Sequence, residues 1–81
     1  EKTIPVKLTL SLMAYNLLLE EYPLSEKFVM KSKDNKYIFD GWVCDFNGVG
    51  RFVLGMIDQV EIMSPKSLKD YLNSKIKNKR F

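Results

Sequence analysis

The run from Val49 to Leu68, VGRFVLGMIDQVEIMSPKSL, leaves the chain little freedom in how it folds. Val49, Phe52, Val53, Met56 and Ile57 recur at the spacing of a helix buried along one face, and Leu54 adds a second apolar side. Asp58 and Gln59 leave room only for a short turn. Val60-Glu61-Ile62 then alternates as a half-buried strand does. Ser64-Pro65 closes that strand, because proline cannot donate to a ladder and its fixed φ suits the first turn of a following helix. A helix, a turn and a strand in so few residues must pack on one another. The stretch is therefore an α-on-β unit and carries no catalytic motif.

The rest of the chain can be arranged around that unit. Val6 to Leu10 alternates, with Val6, Leu8 and Leu10 on one face and Lys7 and Thr9 on the other. Ser11 is a suitable N-cap for a helix running to about Glu21, which Pro23 ends. That helix is apolar at Leu12, Met13, Ala14, Tyr15, Leu17, Leu18 and Leu19, more than one stripe requires. It is therefore expected to touch something beyond its own sheet. Glu26 to Lys33 and Tyr37 to Phe46 read as a hairpin turning at Asp34-Asn35, residues that tolerate left-handed backbone. A two-residue turn there sets Met30 opposite Phe39, Phe28 opposite Gly41 and Ser32 opposite Tyr37, an inner face that Val43 joins. Lys27, Val29, Lys31, Ile38, Asp40, Trp42 and Cys44 then share the outer face. Gly41 in mid-strand implies a bulge or a close helix contact. Asn47-Gly48 reads as a turn, and Ser67 to Lys79 as a final helix with Leu68, Tyr71, Leu72, Ile76 and the Lys75 stem on one face.

Strand, helix, strand, strand, helix, strand and an added helix describe an α+β, ferredoxin-like βαββαβ domain. Its four-stranded antiparallel sheet has the first and third strands in the centre and both crossover helices on one face. Eighty-one residues, 46% of them hydrophobic, allow one folded domain with a modest core. No linker or repeat divides residues 1–81. The formal charge is +3, with Lys66, Lys69, Lys75, Lys77, Lys79 and Arg80 gathered near the C-terminus against Asp70 alone. A basic last turn suits a helix dipole, and a phosphate-binding tail is the competing account. No apolar run is long enough to span a membrane and no signal-peptide pattern is present. The chain starts at Glu1 without an initiator methionine, so a fragment of a longer protein is expected.

Little in the composition supports catalysis. There is no histidine, which removes the commonest general base and metal ligand. Cys44 stands alone, so neither an internal disulfide nor a cysteine metal site is expected; it reads as a buried, inert thiol. Asp40 and Asp45 fall on opposite strand faces, and no carboxylate pair emerges. Asn47-Gly48-Val49-Gly50 lacks the lysine-serine pair of a phosphate loop and the spacing of a dinucleotide fold. No enzyme, cofactor or metal is expected.

Two surface features remain. Lys7, Lys27, Lys31 and Trp42 project from one sheet face, as stacking and basic groups do in RNA-recognition domains, although the aromatic RNP sequences are absent. A single-stranded nucleic-acid-binding module is the alternative reading on that ground. Val29, Ile38, Trp42 and Met63 also make this face apolar for solvent, so a neighbouring domain, a second subunit or the C-terminal helix should cover it. Arg51 falls in the first turn of an apolar helix, the unfavourable end of the dipole for a cation, and so invites an anionic or hydrogen-bonding partner.

The run Arg51-Phe52-Val53-Leu54-Gly55-Met56, then Val60-Glu61-Ile62-Met63-Ser64-Pro65 and Leu68-Lys69, resembles the end of bacterial WYL-domain transcriptional regulators. There an "R-W-L-L-G-F-G" helix leads into a "V-E-V-L-x-P-x-x-L-R" strand and helix start, in the C-terminal extension called WCX. Phe52 stands where tryptophan is frequent, Met56-Ile57 replace phenylalanine-glycine, and Lys69 replaces arginine. The resemblance implies a non-enzymatic regulatory and oligomerisation domain of a dimeric, cytoplasmic regulator. Its partners would be its own upstream WYL domain and a second subunit. DNA would be bound through an N-terminal helix-turn-helix, and a nucleotide or nucleic-acid fragment would serve as effector. It makes Arg51 the candidate effector or interdomain contact.

Overall fold

A computed structural model describes residues 3–76. In order they form β1 (Ile4–Leu10), α1 (Leu12–Glu21), a 3-10 helix (Pro23–Phe28), β2 (Val29–Lys31), β3 (Tyr37–Val43), α2 (Asn47–Gly55), β4 (Val60–Ser64) and α3 (Lys66–Asn73). The sheet is antiparallel throughout, in the order β2-β3-β1-β4, with the first and third strands central. This is the ferredoxin-like arrangement, with one helix added at the end.

The core lies on one side of the sheet. Val6, Leu8 and Leu10 of β1, Phe39 of β3, and Val60 and Ile62 of β4 pack into a single buried cluster. It also holds Ala14 and Leu18 of α1, Phe52 and Val53 of α2, and Leu68 and Leu72 of α3. Leu8, Leu10, Leu68 and Leu72 are among the largest fully enclosed side chains, each contributing roughly 1.5–3 kcal/mol of burial. Ser11 caps α1 as its type and position predict, its Oγ accepting from the Ala14 N–H at 3.1 Å. The Ser11 N–H donates to the Gln59 carbonyl at 3.0 Å, tying the end of β1 to the approach to β4. The C-terminal helix packs on the core side: a Cβ at Gly50 of α2 would stand 3.0 Å from the Tyr71 ring and 3.3 Å from Leu72. Residues 66–76 therefore do not cover the outer sheet face.

The hairpin register differs from the sequence expectation by one residue. Val29, not Met30, faces Phe39; Met30 faces Ile38 and Lys31 faces Tyr37. Phe28 and Ser32 lose the partners assigned to them as well. Asp34 and Asn35 do form the turn, with φ of 60° and 59°, and the Lys36 N–H donates to the Lys33 carbonyl across it. Yet the Ser32 N–H also donates to the Lys36 carbonyl, at 2.7 Å. Ser32 and Lys33 thus both oppose Lys36, a bulge that adds one residue to the first arm. Because side chains alternate with period two, the slip exchanges the two faces of β2. Val29 turns inward, and Met30 keeps 65% of its surface.

Three element boundaries also move. The first hairpin arm is a strand only from Val29, since Pro23 starts a 3-10 helix in which the Ser25 N–H donates to the Tyr22 carbonyl. Helix α2 begins at Asn47, ahead of the expected Val49, and ends at Gly55; Met56 and Ile57 belong to the turn that leads into β4. Helix α3 ends at Asn73, and Lys77, Lys79 and Arg80 lie outside the described residues. Lys75 lies beyond the helix and is exposed, with its Nζ 5.2 Å from the Tyr71 ring centroid. Gly41 sits at no bulge, but it does meet the 3-10 helix through Phe28, the last residue of that helix. A Cβ there would sit 2.8 Å from the Phe39 ring and 3.4 Å from Phe28, so aromatic rings occupy its space. No described helix is long and apolar enough to cross a membrane.

Candidate functional site

The shortness of β2 shapes the surface beside it. Opposite Tyr37 to Phe39, strand β3 has a neighbour; from Asp40 to Val43 the register offers none on that side. The 3-10 helix occupies the region instead and leaves a hollow between the sheet edge, the C-terminal end of α1 and the start of α2. A cavity of about 320 Å³ opens there. Leu8, Leu18, Phe39 and Phe52 belong to its lining from the core, and Tyr22, Trp42 and Val49 add to its walls. Its polar groups come from Ser25, Cys44 and Asp45. The Asp45 Oδ1 accepts the Asn47 N–H at 2.9 Å, capping α2 from outside its own N-cap position. Asn47 in turn accepts from the Tyr71 hydroxyl at 3.1 Å, so α3 helps hold the α2 start in place.

Two further clefts adjoin the cavity, and Tyr22 borders all three. One, of about 390 Å³, runs between the 3-10 helix and β3, lined by Leu24, Phe28 and Trp42 among others. Leu24 stands 81% exposed and Trp42 60% exposed, an apolar rim that water does not favour. Trp42 sets its ring edge-on to Phe28, with centroids 6.0 Å apart, so the indole meets this cleft at the sheet margin. The other, of about 290 Å³, lies between α1 and α2 and is lined by Glu21, Arg51 and Met56 among others.

The residues singled out from sequence do not converge. Of the three lysines assigned to the outer face, Lys7 alone is there, opposite Asp40 in the ladder. Lys27 belongs to the 3-10 helix, with its Nζ 5.5 Å from the Phe28 ring centroid. Lys31 lies opposite Tyr37, whose ring stacks on Tyr15 of α1 at 4.1 Å, so the slip puts Lys31 on the helix side. Both corrections follow from the bulge and the shortened strand. Arg51 is exposed and falls in the second turn of α2, since the helix begins at Asn47. The dipole conflict that drew attention to it fades beyond the first turn. Cys44 is exposed at the cavity, not buried. Among the described residues no group of three or more His, Cys, Asp or Glu side chains could hold a metal ion.

Sequence reasoning missed Tyr22, Leu24 and Ser25 as site residues. The available signal was Pro23, which breaks α1 and begins a 3-10 segment where a strand was expected. Compared with protein-family models, with curated proteins and with solved structures, the chain matches none.

Proposed function

We propose that this chain is a non-enzymatic regulatory and oligomerisation domain, the C-terminal extension of a WYL-type DNA-binding transcriptional regulator. One observation carries the interaction part of that reading. On α1, Leu12 and Met13 stay 51% and 62% exposed although both belong to an apolar helix. Apolar side chains at adjacent positions on the first turn of a helix are what a protein–protein contact uses. Met30, Met63 and Trp42 add exposed apolar area at the sheet. The regulator identity rests on the resemblance of the Arg51 to Lys69 run. On this reading the upstream WYL domain and a second subunit are the partners, in a cytoplasmic homodimer. DNA is held by an upstream helix-turn-helix, and Arg51 meets either a nucleotide or nucleic-acid effector or the neighbouring domain.

Sedimentation of the full-length protein tests the assembly. The wild type should be a dimer, and replacing Leu12 and Met13 together with serine should shift it to monomer without unfolding it. A strictly monomeric wild type at high concentration would sink the oligomerisation role. Arg51→Ala should weaken effector binding or dimerisation; if both stay unchanged, Arg51 has no such role.

A further inference from the structure

We propose that the cavity beside Trp42 binds a small organic cation carrying apolar substituents, of the alkylammonium class. Its lining decides the class. Four aromatic residues, Tyr22, Phe39, Trp42 and Phe52, line a space whose one charged lining residue among those described is Asp45. The cleft between the 3-10 helix and β3 repeats the pattern, with Glu21 as its one charged residue among those described, whereas the cleft between α1 and α2 pairs Glu21 with Arg51. Among the described residues, no basic side chain lines the cavity or the cleft beside the 3-10 helix. Electron-rich ring faces attract a desolvated cation, and a nearby carboxylate adds to that attraction. An anion would meet the carboxylate with no compensating base among the described lining residues.

The start of α2 borders the cavity and presents about half a positive charge. Asp45 caps that end, its Oδ1 accepting the Asn47 N–H, and a full carboxylate charge outweighs the helix end it caps. Lys27 shows the same chemistry nearby, placing its ammonium over the Phe28 ring. The volume, near the lower end of the roughly 300–1,000 Å³ common for ligand pockets, suits a compact molecule. This inference rests on the cavity alone, so it stands or falls independently of the regulator reading.

The test compares choline with its uncharged carbon isostere, in which a tert-butyl group replaces the trimethylammonium. Trp42 is the only tryptophan of the 81-residue chain, so its fluorescence reports on this cavity. Choline should give a saturable change and bind about tenfold more tightly than the isostere, the margin expected of a partly desolvated cation–aromatic contact. Asp45→Asn keeps an Oδ1 acceptor for the Asn47 N–H and should reduce choline affinity several-fold while sparing the isostere. Trp42→Leu, followed by calorimetry, should do the same, and it serves alone if the Asp45 variant fails to fold. Equal affinity for the two compounds, no saturable response to choline, or variants that leave the ratio unchanged would overturn the proposal.

Discussion

On the helix side of the sheet Leu8 and Leu10 are closed off from solvent, while on the other side of the same backbone Met30 and Trp42 keep 65% and 60% of their surface. Both faces are built from alternating strands, and both carry large apolar side chains. They differ in what the chain supplies to cover them. Three helices converge on the first face and merge into one buried cluster. The second receives no described element, and its polar positions are Lys7 facing Asp40 and Thr9 facing Glu61. Burial on the first face therefore supports the fold, whereas apolar surface on the second is available for contacts outside it.

The sharpest way to break that contrast is to shorten one large side chain on each face. Leu8→Ala should cost about 2–5 kcal/mol, because a fully enclosed leucine leaves a cavity that its neighbours only partly fill. In a domain of this size each kcal/mol lowers the melting temperature by roughly 4–8 °C, so calorimetry will resolve it. Met63→Ala, on β4 and exposed, should stay within about 0.5 kcal/mol. Equal costs would mean that the outer face is packed after all.

A subtler contrast concerns Gly41, which carries no side chain because the aromatic rings of the core face need its space. Gly41→Ala would place a methyl 2.8 Å from the Phe39 ring. Overpacking of this kind costs about 1–3 kcal/mol, and Phe39 must shift to relieve it. Gly55→Ala is the control, since a Cβ there meets nothing within 4 Å. A neutral Gly41→Ala would show that the ring moves freely and that the inner face is looser than its burial implies.

The core face was legible in the sequence because its signal is redundant. Val6, Leu8 and Leu10 alternate over a full strand, and Val60 with Ile62 repeats the pattern beside a helix that can pack nowhere else. The strand order followed from connectivity and handedness alone. The cavity was hidden for the opposite reason: it exists because a strand stops early. Glu26 to Lys33 has strand-like content, and only Pro23, acting through the 3-10 turn after it, cuts β2 down to Val29–Lys31. Cys44 was read as buried from residue type, which says nothing of a cavity opening next to it. Arg51 was weighted by a helix start that lies earlier, at Asn47, where an aspartate two residues upstream supplies the cap.

The one-residue slip in the hairpin gives the smallest of these effects and discriminates between registers most directly. A turn at Asp34-Asn35 is compatible with two pairings, and the two place opposite residues in the core. Val29→Thr and Met30→Thr both install the same β-branched, strand-forming side chain, so a low strand propensity of the new residue penalises neither variant. With Val29 opposite Phe39 on the inner face, its hydroxyl variant should lose about 1 kcal/mol by burying a polar group among apolar neighbours. Met30→Thr, on the exposed side opposite Ile38, should change stability by no more than about 0.5 kcal/mol. The pairing without the bulge reverses that order. Chemical denaturation midpoints of the two variants therefore read the register, and a larger loss at Met30 would place Ser32 and Lys33 back in an unbulged ladder.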